Sequence, residues 1–325
     1  MKRRILIGSF AATAIAPHAA IAQQTKPVIA YLSARSPATD NHLLAAFREG
    51  LKEAGYVDGQ NVTIDVHWAD SRYERLPAMA KDLAAAKPAV LVAVGANQAG
   101  LAAKAATSTI PVVFGVGADP VDLGLVRDLA RPEANLTGTT LLTQLLDAKR
   151  VELLREMAPG ARSVAMLFNP SNPGAAGQLA GSQAAANALG LNMRILEAQT
   201  EAEIDRAFDS LDSAPVDLFA VAVDSFLIGQ RTRIVVATAA RKLPAMFPSR
   251  EFVDAGGLAS YAPRWVDMYR IIGTYAGRLL KGAKPGDLPI QRPTTFELVV
   301  NLRTAKALGL TLSPAFLNRA DETID

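Results

Sequence analysis

The stretch VLVAVGANQAGLAAKAATSTIPVVFGVGADP, residues 90–120, sets the reading of the whole chain. It opens on a continuous apolar run, Val90–Val94, crosses a polar loop and an Ala-rich segment, and returns to a second apolar run, Val112–Val116. Short apolar runs bounded by Gly, Asn, Asp or Pro read as strands buried on both faces, as parallel strands are. The segment between them is long enough for a helix that returns the chain along the sheet. The same beat recurs on both sides, with strand candidates at Val28–Leu32, Val62–Val66, Val164–Phe168, Asn192–Leu196, Leu218–Val221 and Ala245–Phe247. Helices fill the gaps. Asp40 can cap one whose Leu43, Leu44, Phe47 and Leu51 share a face, and Gly55 can end it. Ser71 and Glu74 have capping-box spacing ahead of Leu76, Met79, Ala80 and Leu83, with Pro77 in the first turn or at a kink. Asp119-Pro120 and Asn172-Pro173 each read as a cap followed by Pro at the first helical position. A helix of roughly Leu142–Met157 joins two such sets. The predicted fold is α/β: two similar doubly wound parallel-sheet lobes, with a cleft at the C-terminal ends of their strands.

Length and composition agree with two domains. The chain has 325 residues, half of them hydrophobic and 6% aromatic, enough for two cores of ordinary size. Its first residues read as a leader and not as fold. Lys2, Arg3 and Arg4 precede the apolar run Ile5–Ala16, and Ala20-Ile21-Ala22 is a small-x-small cleavage site before Gln23. That is the layout of a secretory signal peptide over residues 1–22, with a run too short for a permanent membrane anchor. Arg3-Arg4 leaves twin-arginine export open beside the general route. Cleavage removes three of the 34 basic residues and leaves 31 against 31 acidic ones. The mature chain is then near neutral, and no nucleic-acid partner is expected.

The chain has no cysteine, so disulfides, thiolate metal sites and a lipoprotein anchor are excluded. The mature chain keeps His42 and His67, too few for a usual transition-metal site. No Gly-x-Ser-x-Gly, Walker loop or His-Glu-x-x-His is present, and no dinucleotide fingerprint follows a strand. We expect no metal, no cofactor and no catalytic residues.

Several stretches resemble the family of ABC-transporter solute-binding proteins that includes the tryptophan- and tyrosine-binding proteins. They are Leu76-Pro77-Ala78, Ala102 through Phe114, Asp119-Pro120-Val121, Leu129-Ala130-Arg131-Pro132 leading to Asn135-Leu136-Thr137-Gly138, Arg150–Leu154, and Phe168-Asn169-Pro170. Further on come Pro248 through Val253, Gly256-Gly257-Leu258, Ser260-Tyr261, Lys281 through Pro285 and Asn301 through Leu310. The resemblance covers nearly the whole mature chain. It implies a type I periplasmic-binding-protein fold with three crossovers between lobes. The first lobe would take residues 27–143 plus 261–288, the second 144–260 plus 289–325. It also implies a monomer that captures a small organic solute, amino-acid-like or aromatic, by hinge closure in the periplasm, and a partner permease and ATPase complex in the inner membrane. A sensor subunit for a membrane receptor is the alternative, and an exported hydrolytic enzyme on the same frame a more distant one. At Asn97-Gln98 relatives often carry Thr or Ser with Pro, and at Val223-Asp224-Ser225 Pro-Asp is common.

Candidate ligand-binding residues are the polar ones in the βα loops. From the first lobe these are Ser33, Ser36, Asn97, Gln98 and Asp119; from the second, Asn169, Asn172, Asp224 and Ser249, with Tyr261 at a crossover. Hydroxyls and free N–H groups after the first strand suit a carboxylate, and Asp119 or Asp224 suits an ammonium. Each has a structural alternative: capping for Asp119 and Ser249, turn geometry for the asparagines, packing for Tyr261. Trp68 and Trp265 read as packing residues. The leader makes one prediction. Protein recovered from the periplasm should begin at Gln23 on N-terminal sequencing; an intact Met1 there would refute cleavage.

Overall fold

The computed structural model describes residues 26–325, Glu133 excepted, so the leader lies outside the described residues. The first part of the chain runs β1 (Val28–Ser33), α1 (Pro37–Glu53), β2 (Thr63–Trp68), α2 (Leu76–Ala85), β3 (Val90–Val94), α3 (Asn97–Ala106), β4 (Val112–Val116) and β5 (Leu136–Thr140). The second runs α4 (Thr143–Met157), β6 (Ser163–Phe168), α5 (Ala175–Ala188), β7 (Asn192–Glu197), α6 (Glu201–Ser213), β8 (Leu218–Val221), α7 (Ser225–Gly229), α8 (Arg231–Ala240), β9 (Ala245–Phe247), α9 (Arg250–Asp254) and β10 (Ala259–Pro263). Then follow α10 (Trp265–Leu280), β11 (Phe296–Asn301), α11 (Leu302–Ala307), α12 (Pro314–Leu317) and β12 (Glu322–Ile324).

Two sheets result. The first has the order β2-β1-β3-β4-β5, all parallel. The second has the order β12-β11-β10-β9-β8-β6-β7, with one antiparallel pair, β10 against β11. Counted from its own first strand, the run from β7 to β10 repeats the 2-1-3-4-5 order of the first sheet. Each lobe therefore has a topological switch point, between β1 and β3 and between β6 and β8. The apolar runs are buried on both faces, as their sequence implies. Ala30, Leu32, Leu91 and Ala93 pack under α2 and α3. Their alternate neighbours Ile29, Tyr31, Val90 and Val92 pack under α1 and α10. The second sheet is divided between two cores in the same way.

Three passages connect the lobes. Leu141-Leu142 leads from β5 into α4, with Leu142 in left-handed backbone at φ 46°. Arg264 leads from β10 into α10, which leaves the second sheet and packs on α1 and the first. The third passage follows Gln291, which still donates to Gly138 O of the first lobe at 3.0 Å. Tyr261–Pro263 pair with β11 in the second sheet, and Ile290 packs in the first lobe's core. The chain thus crosses slightly later than 260/261 and 288/289.

Several cap assignments differ. The helix expected after Asp40 begins a turn earlier at Pro37, and Asp40 pairs with Arg35 instead. Ser71 lies at φ 59° and caps nothing; a 3-10 turn over Tyr73–Arg75 leads into α2, with Pro77 in its first turn. No helix follows Asp119-Pro120: the chain turns, and left-handed Gly124 redirects it. Gly174, not Asn172, precedes α5. Strands β5, β10, β11 and β12 were not anticipated, because Leu136-Thr137-Gly138-Thr139-Thr140 has no apolar run and β10–β12 fall in the tail.

α1 and α10 approach backbone to backbone because Gly50 and Gly273 lack side chains. A Cβ on Gly273 would lie 2.0 Å from Phe47 O, and one on Gly50 1.8 Å from Arg270 O. Both obstacles are backbone, so neither can yield. We predict that Gly273→Ala costs about 1–3 kcal/mol in urea denaturation. Gly160→Ala, with nothing within 4 Å, should stay within about 0.5 kcal/mol of wild type. Equal midpoints for the two variants would contradict this packing.

Candidate functional site

The two switch points face each other across one cleft. Its cavity is lined by Arg35 after β1, Gly95–Gln98 after β3, Gly115–Gly117 in β4 and its loop, Thr139 and Leu141 near β5, Asn172 after β6, and Val223–Ser225 after β8. Trp265, Met268, Tyr269 and Ile272 of α10 complete it. The space is about 580 Å³, part of it open to solvent. Crowding at the strand ends is low because Gly95, Ala96, Gly115 and Gly117 carry little or no side chain.

The lobes are clasped at the rim of this space. Asn97 Nδ2 donates to Asn172 Oδ1 at 2.9 Å, while Asn97 Oδ1 accepts from Gly117 N at 2.8 Å. Gln98 Nε2 donates to Ser171 O at 3.0 Å. Tyr73, from the turn before α2, donates to Asp224 Oδ2 at 2.9 Å and accepts from Phe226 N at 2.9 Å. Ser225 Oγ donates to Gly95 O. Burial pushes the Tyr73 hydroxyl well above its usual range, and the Asp224 carboxylate adds to that. The phenol therefore stays protonated and remains a donor. Burial also raises the Asp224 carboxyl, against hydrogen bonds from Asn169, Leu227 and Tyr73 that favour its charge.

Arg35 sits deepest on the first lobe's side. It is 2% exposed; its Nη1 donates to Asp40 Oδ1 at 3.0 Å and its Nε to Ser225 Oγ at 3.4 Å. Its guanidinium lies 4.2 Å from the centre of the Trp265 ring, a cation–π contact. Burial opposes its charge, but Asp40, together with Tyr269 and Glu251, outweighs that and holds the guanidinium protonated.

Of the residues singled out in the sequence, Asn97, Gln98, Asn172 and Asp224 meet at the cavity. Asp224 does so as the cap of α7, with its carboxylate accepting from Leu227 N at 3.2 Å and Asn169 Nδ2 at 3.1 Å. Asn169 lies behind it, buried and bonded to Ser171. Ser33 is buried beneath the β1 turn, where its Oγ accepts from Arg35 N at 3.2 Å. Ser36 precedes α1 and faces Thr39. Asp119 closes its own turn by accepting from Val121 N at 2.8 Å. Ser249 precedes α9 and caps no N–H there. Tyr261 stacks on Phe296 with centroids 5.9 Å apart, on the second lobe's core. None of these six lines the cavity. Sequence reasoning passed over Arg35, although it stands between Ser33 and Ser36, and it assigned Trp265 to packing alone. A charged residue within a strand-end loop of a doubly wound sheet was the available signal for Arg35. Trp265 had none, since α10 reaches the site from a distant part of the chain.

The family model for ABC transporter substrate-binding proteins matches residues 28–324. The chain belongs to this family. The tyrosine-binding protein of Clostridioides difficile strain R20291 is 26% identical over 264 residues, 81% of this chain and 75% of that protein. Among solved structures, the ABC domain from Streptococcus pneumoniae in complex with L-Trp superposes with a TM-score of 0.85 at 27% identity, covering 92% of this chain and all of that one. A conserved domain protein from Vibrio cholerae O1 biovar El Tor gives 0.86 at 26% identity, with the same coverage. The fold of this substrate-binding protein is that of the type I periplasmic binding proteins.

A further pair spans the lobes at the edge of the cleft. His42 Nε2 of α1 lies 3.6 Å from Glu251 Oε1 of α9. The Glu251 carboxylate beside it raises His42 from its ordinary value. Burial alone would raise Glu251, but the neighbouring His42, Ser249 and Arg35 hold it at about 2. A raised His contributes its full share below its unfolded value and loses it as pH rises through the folded one. The thermal stability of wild type over His42→Ala should therefore be largest near about pH 6 and shrink toward about pH 8; an advantage independent of pH would exclude the ion pair. The Tyr73 clasp makes a second prediction. Tyr73→Phe strands Asp224 Oδ2 and Phe226 N and should cost about 1–3 kcal/mol. It should also enlarge the radius of gyration of protein purified with its solute bound, by X-ray scattering. Unchanged scattering and stability would show that the clasp does not hold the lobes together.

Proposed function

We propose that this substrate-binding protein captures a small organic solute between its lobes in the periplasm and delivers it to a permease and ATPase complex of the inner membrane. The observation that carries the reading is the cavity itself. Side chains from both lobes wall it and bond to each other across its rim, so a solute inside is enclosed by lobe closure and freed by opening. Enclosure also strengthens each polar contact by excluding water. Among the described residues no helix is long and apolar enough to cross a membrane, and the leader reads as an export signal. The tyrosine and L-Trp named for the relatives support a ring-bearing or amino-acid-like solute. Among the described residues no histidine lines the cavity, and its serine, Ser225, is engaged with Gly95 O, an arrangement suited to holding and not to nucleophilic attack. The chain is proposed to work as a monomer.

The test is direct. Purified protein should release one small organic molecule per chain on denaturation, identified by mass spectrometry. The same molecule, added back after removal, should bind with a stoichiometry of about one and contract the particle in solution scattering. A released molecule that is chemically altered on long incubation would point to an enzyme. Binding without contraction would exclude capture by closure.

A further inference from the structure

We propose that the cleft is built for a carboxylate on an apolar, ring-sized body, held by the Arg35 guanidinium and the Trp265 indole N–H, with no seat for an ammonium group. The proposal rests on the capture reading and narrows its solute class.

Unspent hydrogen-bonding capacity identifies the chemistry that the cavity suits. Asn97, Asn172 and Ser225 are engaged with protein partners across the rim. Two lining residues differ. Arg35 Nη2 and Trp265 Nε1 are buried and have no partner. Both groups are donors only. A buried donor without an acceptor is unfavourable, most of all on a charged group, and such exceptions in a folded protein ask for a specific cause. They belong to two side chains already in contact, the guanidinium lying over the indole ring. A carboxylate beside them supplies a charge-assisted acceptor to the guanidinium and a second oxygen for the indole.

No carboxylate of the lining is open to a cation. Asp224 is the acidic residue of the lining, and both its oxygens are used: one by Asn169 and Leu227, the other by Tyr73. The open oxygen of Asp40 belongs to the ion pair behind Arg35, and Asp40 does not line the cavity. The remaining wall sets neutral polar groups, the Thr139 and Tyr269 hydroxyls among them, among apolar Val116, Leu141, Met268 and Ile272, and carries no further carboxylate. An ammonium would be desolvated there without a carboxylate to balance its charge. The roles expected of Asp119 and Asp224 toward an amino-acid ammonium are thus replaced by a recognition that needs none.

Calorimetric titration of ligand-stripped, full-length mature protein at about pH 7.5 tests this with matched probes. Indole-3-acetate, 4-hydroxyphenylacetate and benzoate carry only the carboxylate. Tryptamine and tyramine carry only the ammonium, and L-Trp and L-Tyr carry both. At least one of the three acids should bind, at least about tenfold more tightly than its matched zwitterion, and neither amine should bind. Arg35→Met combined with Asp40→Asn removes the ion pair whole, so no charge is stranded. It should weaken acid binding by about tenfold to a hundredfold. Trp265→Phe keeps an aromatic face and removes the donor; it should melt normally and weaken acid binding by about fivefold. An amine or zwitterion that binds as tightly as its acid overturns the proposal, as does acid affinity unchanged in the folded variants. Silence from all three acids overturns it as well. In that case a solute found by mass spectrometry leaves the capture reading standing, whereas the absence of any solute fails both.

Discussion

A guanidinium buried at the end of β1 sets the conditions that its surroundings meet. Arg35 is nearly inaccessible and charged, and an unpaired charge at that depth would cost several kcal/mol. Asp40 on α1, the Trp265 ring on α10 and Ser225 on α7 share the task of compensating it. Those partners come from three helices and both lobes. The position of α10 against α1, the start of α1 at Pro37 and the docking of the second lobe's loop after β8 are therefore coupled through one side chain.

The lobes are two uses of one plan. In each, the first and third strands of a 2-1-3-4-5 sheet part their loops at the switch point, and both loops project into the cleft. The polar residues they carry differ in duty. Those of the second lobe are largely spent on shaping their own turns: Asn169 on Ser171 and Asp224, Asp224 on the start of α7, Asn172 on Gly174 and Val223. The first lobe, with α10, presents the arginine and the rings. Rigidity thus lies on one side of the cleft and recognition on the other.

Much of this was legible in the sequence, for reasons that also mark where legibility stops. Val90–Val94 and Val112–Val116 are strands to the residue, because a strand buried on both faces leaves an unbroken apolar run. Leu136–Thr140 is a strand by virtue of its neighbours: it is held by β4 on one side and by Gln291 on the other. Local pattern cannot show that. The loops after β3, β6 and β8 were found because topology alone places them at the cleft. Ser33 and Tyr261 lie in β1 and β10, off the cavity's lining, and a strand's two faces are equivalent in sequence until the packing is known. Trp265 illustrates the deeper limit: its role follows from a helix that leaves one sheet and returns to the other, a path written in no short stretch of residues.

The rim hydrogen bonds bear on timing. Asn97–Asn172, Gln98–Ser171, Tyr73–Asp224 and Ser225–Gly95 join protein to protein, so in the closed form they do not involve the solute behind them. An enclosed solute cannot depart until they part. Its residence time is then governed by how often the lobes separate, a property of the protein, and solutes of different affinity would share one ceiling on their escape rate. A docking partner that competes for those four contacts would lift that ceiling without touching the solute at all.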